Sequence, residues 1–294
     1  MTCVRQAWLT MGAATIALHD EAGGYFVTSL DLGSPEVRQV TNNRPDADGI
    51  DDRTRYLGQR LISVDISAVL QAGATIDDVA ASFAPYMVPR QRPTLHYVLD
   101  RPGAPERVMT VRGQAYAWKV DDDQVRAIQL QFVAADPTAY DPTIQQAAAW
   151  AGSTAAAGRV YNLAFARTYP AGGGAPSTGI IHGNGDLPVQ PRLRIYGPIS
   201  WPVVIFHTAD GRTFRVAFLQ SFTIGAGAWV DVDTKAKTAY YNGDTAQNML
   251  ARMDWSVNSW PVLPAGSDTL MTLTGGNTSQ VSQVVATWQD GFLA

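Results

Sequence analysis

The sequence predicts a mostly β protein in two parts: a first half of strands with one packed α-helix, and a second half that is a β-sandwich. Three observations lead there. Short runs alternate between apolar and polar residues, most clearly over 61–69, where Ile62, Val64, Ile66 and Ala68 take one face and Ser63, Asp65 and Ser67 the other. In the second half such runs return about every ten residues, separated by turn residues, which is the spacing of a sandwich. Only one clear stretch, beginning at Thr75, has apolar residues at helical spacing.

In the first half, strands are expected over 15–18, 25–32 and 36–41, followed by a polar loop over 42–58 and the strand 61–69. Thr75 with Asp78 three residues on is a capping-box arrangement, and it starts a helix with Ile76, Val79, Ala80 and Phe83 on one face. Pro85 ends or kinks it, because proline has no N–H to donate. Strands over 94–99, 108–115 and 125–133 complete a domain spanning 1–140.

Residues 141–183 read as a connector on composition, with a short helix over 143–150, an extended arm over 161–168, and Gly, Ala and Ser between. The second domain, 184–294, opens with the turn Asn184-Gly185-Asp186. Pro188 and Pro191 then favour extended backbone into the strand 192–196. Further strands are expected over 203–208, 213–218, 221–224, 229–233, 239–241, 269–274 and 280–288, with one helical turn over 246–252.

The 294 residues fit two domains on length, and 46% hydrophobic against 16% charged residues describes a globular chain with polar, largely uncharged surfaces. A formal net charge of −4 gives no global pull towards nucleic acid or an anionic membrane. The single cysteine, Cys3, rules out an intramolecular disulfide framework and fits folding in a reducing cytoplasm. Neither a convincing signal peptide nor a membrane-length apolar run is expected.

Catalytic chemistry is not legible. His19, His96, His182 and His207 lack metal-ligand spacing, and no nucleophile elbow, zinc helix or phosphate loop is present. Catalytic, cofactor and metal sites are therefore all read as none. The acidic loop Asp46-Ala47-Asp48-Gly49-Ile50-Asp51-Asp52 fails the EF-hand test, since Asp51 stands where the glycine belongs and Leu57 where the last glutamate belongs. Trp201, Trp229, Trp255, Trp260 and Trp288 in a sandwich raise the alternative of a carbohydrate-binding module, or an accessory domain of a polysaccharide-degrading enzyme. Arginines concentrate in the first half. Arg38, Arg44, Arg53, Arg55 and Arg60 are the candidate contacts between subunits, because guanidinium groups make directional paired hydrogen bonds.

The order of features resembles the distal tail proteins of long-tailed, non-contractile bacteriophages, particularly minor tail proteins of phages infecting actinobacteria. In the first half the resemblance rests on Leu30-Asp31-Leu32-Gly33-Ser34-Pro35-Glu36-Val37-Arg38, Arg44-Pro45-Asp46-Ala47-Asp48-Gly49, Leu57-Gly58-Gln59-Arg60 and Ala134-Ala135-Asp136-Pro137-Thr138-Ala139-Tyr140-Asp141. In the second it rests on Asn184-Gly185-Asp186, Ile195-Tyr196-Gly197-Pro198, Pro202-Val203-Val204-Ile205, Val230-Asp231-Val232-Asp233, Pro264-Ala265-Gly266 and Trp288. It implies a tail-tube-like ring-forming domain and a galectin-like sandwich. It further implies a virion protein of the tail tip or baseplate, forming a homo-hexameric ring between the tail-tube protein and the tip hub. Receptor-binding proteins would attach to it, and the genome would pass through the lumen without sequence-specific contact. No cofactor and no membrane are implied. The galectin sugar motif is absent, since His207 is followed by Thr208-Ala209-Asp210, so sugar binding is not carried over.

Overall fold

The computed structural model describes residues 4–19, 25–43, 50–69, 76–120, 125–152 and 176–293, and at the ends of several elements the backbone alone. The protein is mostly β, with antiparallel sheets and one α-helix among the described residues. It divides into two compact units, Met1–Pro142 with Phe292–Ala294, and Thr143–Gly291.

In the first unit, one sheet runs in the order Ala14–Ala17, Val4–Met11, Thr94–Leu99, Glu106–Thr110, Ala139–Tyr140 and Gly291–Phe292. A second runs Tyr25–Asp31, Arg60–Val69, Val125–Ala134 and Arg112–Val120. Alternation along each strand sends one row inward. Leu9, Leu95, Tyr97 and Met109 from the first sheet share a core with Ile62, Val64, Ile66, Ile128, Leu130 and Phe132 from the second. Each such side chain contributes roughly 1.5–3 kcal/mol by leaving water.

The helix, Ile76–Met87, adds Phe83, Tyr86 and Met87 to that core. It passes through Pro85 instead of ending there. Proline leaves the carbonyl four residues earlier, on Ala81, without its helical donor, but Ala81 and Pro85 are exposed, so water is available to it. The last turn reaches the sheet at Gly113, where a Cβ would stand 2.6 Å from the Met87 Cα. Only glycine permits that approach. Residue 75 and its cap lie outside the described residues.

The second unit has a sheet in the order Gln145–Trp150, Gln283–Trp288, Arg192–Tyr196, Trp229–Asp233, Thr238–Tyr241 and Asp244–Asn248. Its other sheet runs Gly179–His182, Asp268–Gly276, Ile199–Thr208 and Thr213–Ala217, with Thr223–Ile224 paired to Ile199–Thr208. Leu193, Ile195, Val230, Val232, Val284 and Ala286 are buried on the first, and Ile181, Val204, Phe206, Val216, Met271 and Leu273 on the second. The turn at 184–186 is tied to the far end of the chain. Asn184 donates its backbone N–H (3.1 Å) and side-chain amide (3.4 Å) to the two carboxylate oxygens of buried Asp290, and the Asp186 N–H donates to the Gly291 carbonyl at 2.8 Å. A side chain at Gly185 would meet the Gly291 backbone.

Several expectations are corrected. Gln145–Trp150, expected as a helix, is a strand paired along its length with Gln283–Trp288. Three consecutive alanines favour helix locally, but an available partner strand overrides that preference. The far end of the expected connector also supplies a strand, Gly179–His182; its arm over 161–168 lies outside the described residues. The polar loop over 42–58 is half strand, because Ile50–Leu57 pairs with Val37–Asn43 in a two-stranded sheet of their own. Val4–Met11 is an additional strand, and the run over 108–115 is two, Glu106–Thr110 and Arg112–Val120. The helical turn over 246–252 shrinks to a 3-10 turn at Leu250–Arg252, after the strand Asp244–Asn248.

Candidate assembly surface

The first unit presents its most distinctive surface at one end of its four-stranded sheet. Arg112–Val120 is the last strand there among the described residues. Gln114, Ala115, Tyr116 and Ala117 are all exposed in succession, Tyr116 by 50%. Neighbouring residues of a strand point to opposite faces, so four exposed in a row mean that the strand runs beyond the core on both sides. The opposite end of the sheet is Tyr25–Asp31. Edge strands of this kind offer a row of backbone donors and acceptors to another chain.

The outward face between these edges carries Ser63, Asp65 and Ser67 on the central strand, with Asp31 in register on one side and Gln129 and Gln131 on the other. Ser63 and Ser67 flank Asp65, which accepts from the Ser29 hydroxyl at 2.6 Å on one neighbouring strand and from the Gln129 amide at 3.0 Å on the other. Beside the sheet stands the hairpin Val37–Asn43 and Ile50–Leu57. At its base Val37 and Leu57 are cross-strand partners, exposed by 56% and 41%, and Leu61 is exposed close by in the chain. Two strands alone are marginally stable, and apolar side chains at their base gain from being covered.

The expected arginines divide. Arg38 pairs in register with Tyr56, and Arg55 with Gln39, on the hairpin; Arg53 lies on the same strand. The side chains of Arg38, Arg53 and Arg55, and all of Arg44, lie outside the described residues. Arg60 is corrected from a surface contact to an interior one. It is 1% exposed, and its Nη2 donates to the Leu293 carbonyl. Its position at the start of a strand whose alternate residues face the core gives the physical reason. Tyr116 was missed, since the expected strand over 108–115 stops one residue short of it; the aromatic between two alanines in Ala115-Tyr116-Ala117 is the local signal.

The second unit has a groove of about 610 Å³ across the outward face of its six-stranded sheet. Strand register builds it: Gln146, Thr287, Arg192, Asp233 and Thr238 form one row, and Val285, Arg194, Asp231 and Tyr240 the next. Arg192 Nε meets Asp233 at 2.9 Å. Arg194 grips Asp231 with two bonds, 2.6 and 3.2 Å, and Trp229 Nε1 adds a third at 2.9 Å. That hydrogen bond to Asp231 holds the Arg194 guanidinium above its ordinary range, against a smaller opposing effect of burial. The tryptophans do not form one platform. Trp229 lies beside the groove, while Trp201 rests against Gly276, Trp255 packs on Trp260 at 5.8 Å, and Trp288 is buried.

The histidines are all placed in hydrogen bonds. His96 is stacked on Trp8 at 5.0 Å between Glu106 (2.7 Å) and Thr10 (3.0 Å), and His182 pairs with Asp268 at 2.6 Å. His207 meets Thr213 at 3.3 Å, and His19 accepts from the Val27 N–H at 3.3 Å. Residues 44–49 of the acidic loop lie outside the described residues, and Asp51 and Asp52 belong to the hairpin strand.

No protein-family model matches the chain, and no curated protein matches it in sequence. Solved structures do. The crystal structure of SPP1 Dit (gp 19.1), described as a paradigm of the hub adsorption apparatus in phages infecting Gram-positive bacteria, is similar over 97% of this chain and 99% of that one, with a TM-score of 0.60 and 13% identity. A chain of the phage P2 baseplate in its activated conformation with Ca covers 97% of each chain at a TM-score of 0.51 and 13% identity. The same baseplate with Sr gives 0.50 at 14% identity, again over 97% of each chain. The expected fold is therefore met across both units: this chain has the fold of phage Dit and baseplate hub proteins.

Proposed function

We propose that this protein is a non-enzymatic structural subunit of a phage tail tip. It forms a ring, hexameric on the resemblance stated above, that joins the tail tube to the tip hub and to attached receptor-binding proteins. The carrying observation is the likeness to SPP1 Dit over nearly the full length of both chains. The exposed edge strand Arg112–Val120 and the hairpin base at Val37 and Leu57 support the same reading, since both are surfaces a second copy would cover.

The mechanism is edge-to-edge addition. The two ends of the four-stranded sheet differ, so the Arg112–Val120 edge of one copy meets the Tyr25–Asp31 edge of the next in a head-to-tail contact. Such a contact closes into a ring when the rotation per subunit fits. The outward face around Asp65 then lines the opening, where its hydroxyls, amides and the Asp65 carboxylate offer a polyanion little to hold it. Arg38, Arg44, Arg53 and Arg55 fall to the hairpin region of that contact. Negative-stain imaging with light scattering tests this: six-fold rings with peripheral lobes are expected. A monomer at every concentration, with tail-tube and tip proteins present, would sink it.

The groove favours a second reading, a carbohydrate-binding module or accessory sandwich. Its preset Arg–Asp pairs and flanking tyrosines are groups that bind sugar hydroxyls and rings. A glycan array on the purified protein decides: hits abolished by Arg194→Ala support sugar binding, and a blank array removes it.

A further inference from the structure

Phe292 and Leu293 lie against two arginines, and we propose that this pair is a latch that holds the returning strand. The chain leaves that unit after Ala139–Tyr140, builds the second unit, and comes back as Gly291–Phe292, the next strand of the same sheet. Two residues provide too few ladder bonds to stay paired by themselves. Apolar burial adds little, because Leu293 is 45% exposed and Phe292 only half-buried.

Side chains supply the hold. The Arg107 guanidinium lies 3.5 Å over the Phe292 ring, where a cation meets the negative face of the aromatic. The same guanidinium donates to Asp141 at 3.1 Å, one residue beyond the outgoing strand. One side chain therefore touches both the departing and the returning chain. Arg60 adds a second point by donating to the Leu293 carbonyl.

The groups beneath oppose closure. The Arg60 Nε and the Tyr97 hydroxyl are buried without a hydrogen-bond partner among the described residues. Burial pushes the Arg60 guanidinium below its ordinary range. Gly291 is fixed by the Asp186 and Leu187 N–H groups, so what the arginines hold is Phe292 and Leu293, through the Phe292 ring and the Leu293 carbonyl. A device of this kind gives a short segment that yields without unfolding the core.

Hydrogen exchange on the full chain tests the latch, independently of any assembly. In Arg107→Ala, the amides of Phe292 and Leu293 are expected to exchange at least tenfold faster, with Arg107→Lys between it and the wild type. Peptides over 61–69 and 229–241 keep their rates. Unchanged exchange at Phe292 and Leu293, or an equal rise throughout the first unit, overturns the proposal. Should Arg107→Ala fail to fold, Phe292→Leu keeps apolar volume and loses the ring. A rise confined to residues 292 and 293 then supports the latch, and unchanged rates there overturn it.

Discussion

Two edge strands, one in each unit, are finished in different ways. In the second unit, the edge strand Thr213–Ala217 is capped by the segment 254–259. Asn258 accepts from the Ala217 N–H at 2.5 Å and returns its own amide to the Ala217 carbonyl at 3.0 Å. The Ser259 N–H donates to the Arg215 carbonyl at 2.9 Å, and its hydroxyl accepts from the Arg215 N–H at 3.0 Å. At the end of the unit's other sheet, Asp244–Asn248 is exposed along its whole length, so the capping is particular to Thr213–Ala217. The first unit instead ends its four-stranded sheet on Arg112–Val120, with four exposed residues in succession. A capped edge resists pairing with other chains, and an uncapped one invites it. Within a single chain, the Thr213–Ala217 edge is covered by the chain's own segment, while Arg112–Val120 keeps four exposed residues in a row.

That contrast is breakable by mutation. The largest expected effect is on assembly: Ala115→Lys places a charge on the exposed edge and abolishes the ring in light scattering, while stability changes by no more than about 0.5 kcal/mol, as at most surface positions. Rings that survive the lysine would remove this edge from the contact. Next in size is Asn258→Ala, which leaves the buried Ala217 N–H unsatisfied and costs about 1–3 kcal/mol in urea unfolding of the second unit. Its rings stay intact; ring loss with unchanged stability would reverse the assignment of the two edges.

The smallest effects come from pH, and they fall on different units. Burial raises the Tyr97 hydroxyl to about 12. A raised value means that its contribution to the first unit's stability is complete below the ordinary 10 and is lost as pH climbs towards 12. Tyr97→Phe removes that alkaline loss. In the second unit, hydrogen bonds from Arg212 and then Thr208 lower Asp210 to about 2. A lowered value means that its contribution is present above 3.8 and fades as pH falls towards 2. Asp210→Asn flattens the acid side. Urea midpoints across both ranges check the pair, and a Tyr97→Phe variant as alkali-sensitive as the wild type would refute the first half.

What the sequence by itself determined was the local pattern. Thr94–Leu99, Arg192–Tyr196 and Trp229–Asp233 are strands with the expected ends, and the run at Arg60–Val69 shows the expected burial of Ile62, Val64 and Ile66. Side-chain alternation is written into consecutive residues, so it is legible without a partner. The turn at Asn184-Gly185-Asp186 and the helical stretch that buries Phe83 are local in the same sense, although the helix runs on past Pro85 to Met87.

Pairing was decided only in three dimensions. Gln145–Trp150 is a strand because Gln283–Trp288, more than a hundred residues later, lies beside it. Arg60 faces inward by the alternation of its strand, but nothing near position 60 announces that its partner is the Leu293 carbonyl. The candidate surface divides along the same line. The arginines stood out in the sequence as a cluster of charge, whereas the exposure of Gln114 to Ala117 depends on where the sheet stops. A sequence carries each strand's preference for one face, but backbone groups are the same in every residue. Which edge is left open is therefore settled by the packing of distant segments.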